Sequence, residues 1–157
     1  MKKLIISLAG AENTGKTQTL TLLIEMLVKD AFAQPDTLVK CLKMENADMR
    51  LIVAIGDIKV AVDTKGDPDT KLFERISELD SCDYIICACR TRGETYDAIQ
   101  DFAQKTKRKR IKLHTYEVEP SLNRTNTAAS QILNELKAQH IYQYLMNKVH
   151  EQQKALN

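Results

Sequence analysis

Gly10-Ala11-Glu12-Asn13-Thr14-Gly15-Lys16-Thr17 is the stretch on which the fold turns. Two glycines five residues apart bracket a loop, and Lys-Thr follows directly. Upstream, Leu4-Ile5-Ile6-Ser7-Leu8-Ala9 is a short apolar run of the length of a buried strand. Downstream, Leu20, Leu23, Ile24, Leu27 and Val28 recur at helical spacing. Strand, glycine loop and helix therefore follow one another. A loop of this kind turns backbone N–H groups toward its hollow, and the next helix points its positive end the same way, so an anion is the ligand it suits.

The pattern is G-x-x-x-x-G-K-T, the phosphate-binding loop or Walker A motif. With its flanks it makes the chain resemble the P-loop NTPase superfamily, specifically over residues 3–30. The resemblance implies that Gly10, Ala11, Glu12, Asn13, Thr14, Gly15, Lys16, Thr17 and Gln18 surround a polyphosphate. Lys16 would reach the β- and γ-phosphates, and the Thr17 hydroxyl would hold Mg²⁺. Glu12 and Asn13, inside the loop, are equally explained by loop variability and by positioning of a water or substrate.

Composition sets the outer bounds. The 157 residues suit one domain with a full core. The shares of hydrophobic (43%) and charged (28%) residues are those of an ordinary globular chain. A net charge of +2 is too small to argue for nucleic acid or an anionic membrane as partner. No apolar run reaches membrane-spanning length. Met1-Lys2-Lys3 and the apolar residues after it resemble a signal peptide superficially, but the run is short and leads into the glycine loop. The expectation is a cytoplasmic protein. Cys41, Cys82, Cys87 and Cys89 form no C-x-x-C pair; Cys87 and Cys89 share a strand face and read as reduced core residues. His114, His140 and His150 are scattered, with no zinc spacing.

Alternating strand and helix signals predict one α/β domain over residues 1–157, a three-layer sandwich with a mainly parallel sheet of five to six strands. Strands are expected at 3–9, 37–44, 51–55, 58–62, 84–89 and 110–118. Gly56-Asp57 between the third and fourth marks a β-hairpin over 51–62. Helices are expected at 16–33, from an Asp67 cap with Pro68 in the first turn to Leu79, at 94–105, and at 127–153. The last carries Ala129, Ile132, Leu133, Leu136, Ile141, Tyr144, Leu145 and Val149 as a stripe expected to pack on the sheet.

Ligands of such sheets lie outside the carboxyl ends of the strands, which sorts the candidate metal carboxylates. Asp83 precedes its strand, and Asp57 sits in a turn that wants Asp for backbone reasons. Asp63 ends a strand and is the expected second Mg²⁺ ligand beside Thr17. Asp63-Thr64-Lys65-Gly66 also resembles the D-x-x-G switch segment of GTPases, which implies that the Gly66 N–H faces the γ-phosphate. The guanine motif N-K-x-D is absent; Cys89-Arg90-Thr91-Arg92-Gly93-Glu94-Thr95 stands in its place. ATP, or no base discrimination, is expected over GTP. Arg90 and Arg92 are candidates for binding phosphate oxygens or transition-state charge, with exposed loop arginines as the alternative. Lys105-Thr106-Lys107-Arg108-Lys109-Arg110 is the one basic run and reads as a solvated helix end, without the interleaved aromatics of a nucleic-acid surface.

The expected function is Mg²⁺-dependent nucleoside triphosphate binding, with hydrolysis or an NTP-driven switch. A small-molecule or nucleotide kinase ranks second, because no long arginine-rich lid is evident. A non-catalytic binding or scaffold subunit acting with a protein partner is the third alternative. Oligomeric state, partner and phosphate acceptor stay open.

Overall fold

The computed structural model describes residues 2–11, 14–33, 39–43, 48–66, 71–116 and 127–156, with the side chains of residues 32, 39–43 and 127 outside the description. Its elements, in chain order, are β1 (Leu4–Ala9), α1 (Lys16–Phe32), β2 (Val39–Lys43), β3 (Met49–Ile55), β4 (Ile58–Asp63), α2 (Leu72–Ser77), β5 (Tyr84–Cys89), α3 (Glu94–Lys105), β6 (Lys109–His114) and α4 (Thr127–Leu156).

The six strands form one sheet in the order β2-β3-β4-β5-β1-β6. β4, β5, β1 and β6 are parallel neighbours, whereas β3 is antiparallel to both β2 and β4. β3 is the one reversed strand, and the Gly56-Asp57 turn, where Gly56 has φ +60°, leads from it back into β4. Five strands thus point one way, and their carboxyl ends share one edge. Every residue of β1 and of β5 is buried, as continuous apolar runs at the centre of a covered parallel sheet should be.

Alternating side chains divide the core in two. On one face Leu4, Ile6, Leu8, Val60, Val62 and Ile86 meet Leu20, Leu23, Ile24 and Leu27 of α1 and Ile141, Leu145 and Val149 of α4. On the other, Ile5, Ala61, Ile85, Cys87 and Cys89 meet Leu72 and Ile76 of α2 and Ile99, Phe102 and Ala103 of α3. Helices cover both faces of a mostly parallel sheet, giving three layers. Cys82, Cys87 and Cys89 are free and buried in the second core, and burial raises all three thiols above the ordinary value.

Several expectations shift. The hairpin strands run to 49–55 and 58–63, longer than the apolar runs suggested, because Arg50 and Asp63 pair across the ladder. α2 begins at Leu72, after Lys71 at φ 49°, so the helix does not run on from Pro68. Asp67 and Pro68 themselves lie outside the described residues, as do residues 117 and 118 of the expected sixth strand; His114 is the last residue of β6. The stripe on α4 is misassigned at its start. Ile132 and Leu136 are exposed, at 56% and 49%, while Asn134, Ala138, Ile141, Leu145 and Val149 are buried. At about 100° per residue, positions two removed from Asn134 lie on the far side of the helix. Arg108 is not solvated either. It is buried, with its guanidinium donating to the carbonyls of Asp80, Cys82 and Asp83 and stacked over Phe102.

α4 travels the same way as α1. Asn134 sits at the start of α1, whereas Gln153 donates to the Ile55 carbonyl at the opposite sheet edge. The turns of α4 before Asn134 therefore extend roughly 10 Å beyond the carboxyl edge of the sheet. Among the described residues β6 is the outermost strand on its side of the sheet, with Lys109, Lys112 and His114 exposed along it.

Candidate functional site

The carboxyl edge gathers the loops after β1, β4, β5 and β6, so parallel pairing alone brings residues 10–17, 64–66, 90–93 and 115–116 to one side of the molecule. The first loop is anchored on both sides. The Gly10 N–H donates to the Cys89 carbonyl at 3.2 Å, and the Thr115 N–H donates to the Ala9 carbonyl at 3.1 Å. A Cβ at Gly10 would lie 2.7 Å from Thr115 Oγ1 and would also meet Thr14 Oγ1. Thr14 Oγ1 donates to the Ala11 carbonyl at 2.8 Å. Gly15 is left-handed at φ 83°, and a Cβ there would run into the Asn134 amide. Both glycines are thus required, one by close packing and the other by backbone conformation as well.

Lys16 is buried, and its ammonium donates to the Gly10 carbonyl at 2.9 Å and the Ala11 carbonyl at 2.6 Å. The side chain folds back over the loop it terminates. No side chain caps α1 at Gly15, and no carboxylate stands in its first turn. Such a helix end presents its N–H groups and positive potential to the loop. Thr17 and Gln18 are exposed on that turn. Gln18 Oε1 accepts from Asn134 Nδ2 at 3.0 Å, while Thr19 Oγ1 donates to Asn134 Oδ1 at 3.4 Å. Glu12 and Asn13 lie outside the described residues.

Asp63 is placed differently from a strand-end carboxylate open to the loop. It is 0% exposed, and it pairs in register with Cys87, which pairs with Ser7. It therefore stands level with Ser7, two residues short of the β1 and β5 ends, and two strand spacings (about 10 Å) to the side. Its oxygens are occupied. Arg50 donates to Oδ2 through Nε at 3.0 Å and Nη2 at 2.8 Å; Arg75 Nη2 and the Lys65 N–H donate to Oδ1. Arg50 also pairs with Glu78. Burial pulls the Arg50 pKa down, but hydrogen bonds to Glu78 and Asp63 and their charge outweigh it, so the guanidinium is held more firmly protonated. Thr64 continues the lock: its Oγ1 donates to Asp48 Oδ1 at 3.0 Å and accepts from the Met49 N–H at 2.9 Å.

Gly66 returns toward the centre of the sheet. A Cβ there would lie 2.6 Å from the Ala88 carbonyl group, so only glycine lets this loop pass so close to β5. Arg90, next after β5, is half-buried, and its N–H donates to Thr95 Oγ1 at 2.9 Å. Arg92 is exposed. The α3 cap position is Gly93 at φ 84°, without a side-chain cap from Glu94.

Thr115, Asn134, Lys137, Arg50 and Arg75 complete the site's surroundings, and none stood out as a candidate in the sequence. Asn134 could have been noticed, because it falls on the buried positions of an otherwise apolar helix face. No pattern signals Arg50 and Arg75, whose partner lies in a different element. Among the described residues, no group of three or more His, Cys, Asp and Glu side chains is arranged to hold a metal ion, and no helix is long and apolar enough to cross a membrane.

No protein-family model, curated protein or solved structure matches this chain.

Proposed function

We propose that the protein is a P-loop nucleoside triphosphate-binding protein, with ATP as the nucleotide and hydrolysis or an NTP-driven switch as its output. The observation that carries this is the uncapped start of α1 joined to the Lys16 ammonium folded over the Gly10 and Ala11 carbonyls. That combination concentrates positive potential at a loop whose glycines cannot be replaced without collision or strain. A polyphosphate would take the loop N–H groups and Lys16. Gly66 and Arg90 stand on the adjoining β5 end of the same edge, where they can meet its terminal phosphate; Arg92 can reach it only from an exposed position.

Mg²⁺ would supply charge neutralisation between the phosphates. Of the two side chains expected to hold it, the Thr17 hydroxyl fits, being exposed on the first turn of α1. Asp63 does not fit in the observed arrangement, because two arginines and a backbone N–H take its oxygens. Its supported role is to anchor the 64–66 loop to β3 and α2.

Calorimetric titration with ATP and GTP, with and without Mg²⁺, tests the proposal. Mg²⁺-dependent binding that is lost in Lys16→Ala supports it. Unchanged affinity in Lys16→Ala overturns it. Acceptor-dependent ADP formation would move the assignment to a kinase.

A further inference from the structure

A nucleotide has two chemically different ends, and the two sides of the 10–17 loop differ in the same sense. On the β4 side Asp63, Arg50 and Arg75 are paired with one another, and Thr64 is held by Asp48. On the β6 side stand Thr115 and Tyr116, with Lys137 of α4 against the Tyr116 ring. Tyr116 is 43% exposed, directly after a buried Thr115 that touches the start of the loop. The Lys137 ammonium lies 4.3 Å from the centre of the Tyr116 ring, while the residue as a whole is only 6% exposed. Lysine side chains on a helix lean toward its N-terminus, so Lys137 reaches from one turn below Asn134 up to the ring. The ammonium lies over one face of the ring and fixes it, and the tyrosine keeps 43% of its surface exposed. Thr115 Oγ1 adds a polar group: it is buried, it has no hydrogen-bond partner among the described residues, and it is directed at Gly10.

We infer that Tyr116, held by Lys137, is the platform on which the nucleoside base stacks when the triphosphate occupies the 10–17 loop. This rests on the nucleotide-binding proposal above and adds to it the end of the ligand that the loop does not read. Stacking on one aromatic face uses the π-surface that every base has. The platform therefore supplies affinity for a nucleoside without choosing between adenine and guanine. Thr115, packed against Gly10 and bonded through its N–H to the Ala9 carbonyl, ties the platform to the start of the loop. Lys137 acts as a positioning residue, through the ring.

The test separates the two ends by using inorganic tripolyphosphate beside ATP and GTP, titrated into the full chain by calorimetry. The wild type should bind ATP more tightly than tripolyphosphate. Tyr116→Ala should lose about 5- to 100-fold in affinity for ATP and for GTP alike, and leave tripolyphosphate affinity within about 2-fold. Tyr116→Phe should keep nearly all ATP affinity. Lys137→Met, which keeps the buried stem, should weaken ATP binding less than Tyr116→Ala does. Unchanged ATP affinity in Tyr116→Ala would overturn the inference, and so would an equal loss for tripolyphosphate. Equal wild-type affinity for ATP and tripolyphosphate would overturn it while leaving the phosphate assignment standing. Binding of neither would remove both.

Discussion

Replacing Asp63 with alanine puts the anchoring role to a quantitative test. The carboxylate is fully buried, and the Arg50 and Arg75 side chains facing it are only 9% and 13% exposed. Removing one partner of a buried ion pair typically costs about 3–5 kcal/mol, because charge is left without compensation. Here each arginine keeps something: Arg50 retains Glu78 and the Arg75 carbonyl, and Arg75 retains the Lys65 carbonyl. The lower end, about 3 kcal/mol, is therefore expected. For a domain of this size that corresponds to a fall in Tm of about 6–12 °C. Urea unfolding of the wild type, Asp63→Ala, Arg50→Met and the double variant measures it. The double variant should be less destabilised than the sum of the singles, by about 1–3 kcal/mol of coupling. Additive effects, or a loss below about 1 kcal/mol in Asp63→Ala, would refute the anchor.

Four further outcomes are expected. Gly66→Ala should destabilise more than Gly93→Ala in denaturant titrations. The first meets the Ala88 backbone, whereas the second has φ +84° and ψ −160° but open space around it and carries about 1–3 kcal/mol of backbone strain alone. Gly15→Ala should lower stability by at least the about 1–2 kcal/mol of a left-handed residue and also disturb the Asn134 contacts to Gln18 and Thr19, seen as weaker ATP binding and a lower denaturation midpoint. Cys82, Cys87 and Cys89 should resist a thiol reagent in the native protein and react on unfolding, since burial both shields them and keeps them protonated. Burial lowers the Lys137 pKa below 10.5, so the folded state holds that proton less tightly than the unfolded chain does. The Lys137 contribution should then rise with pH between its folded value and 10.5, measured as the wild-type stability curve minus that of Lys137→Met. The buried thiols titrate oppositely in the same region, and the subtraction removes them.

The strand–loop–helix unit was legible because three signals coincide there: an apolar run, two glycines and a helical stripe. The end of β5 and the start of α3 were legible for a similar reason, since the Arg90–Gly93 segment separates an apolar run from a helical one. Pairing partners were not. Whether β1 lies beside β4 or β5 depends on packing between distant segments, and the insertion of β5 is what carries Asp63 two strands from the loop. That distance, with Arg50 in an unremarkable position of β3, turned an expected metal ligand into a buried ion pair. On α4 the apolar positions outnumber those that one face can hold, so periodicity alone chose Ile132 and Leu136 where the fold chose Asn134 and Ala138.

The β6 edge has a consequence for crowded solutions of this protein. β6 ends the described sheet with Lys109, Arg110 and Lys112. Two copies that tried to extend the sheet by pairing β6 with β6 would bring cations against cations. The chain as a whole is near neutrality at +2, so colloidal repulsion between molecules is weak. Resistance to strand-by-strand aggregation is instead written locally into this rim. Neutralising Lys109 and Lys112 together should leave the fold intact and shorten the lag before fibrillar assembly.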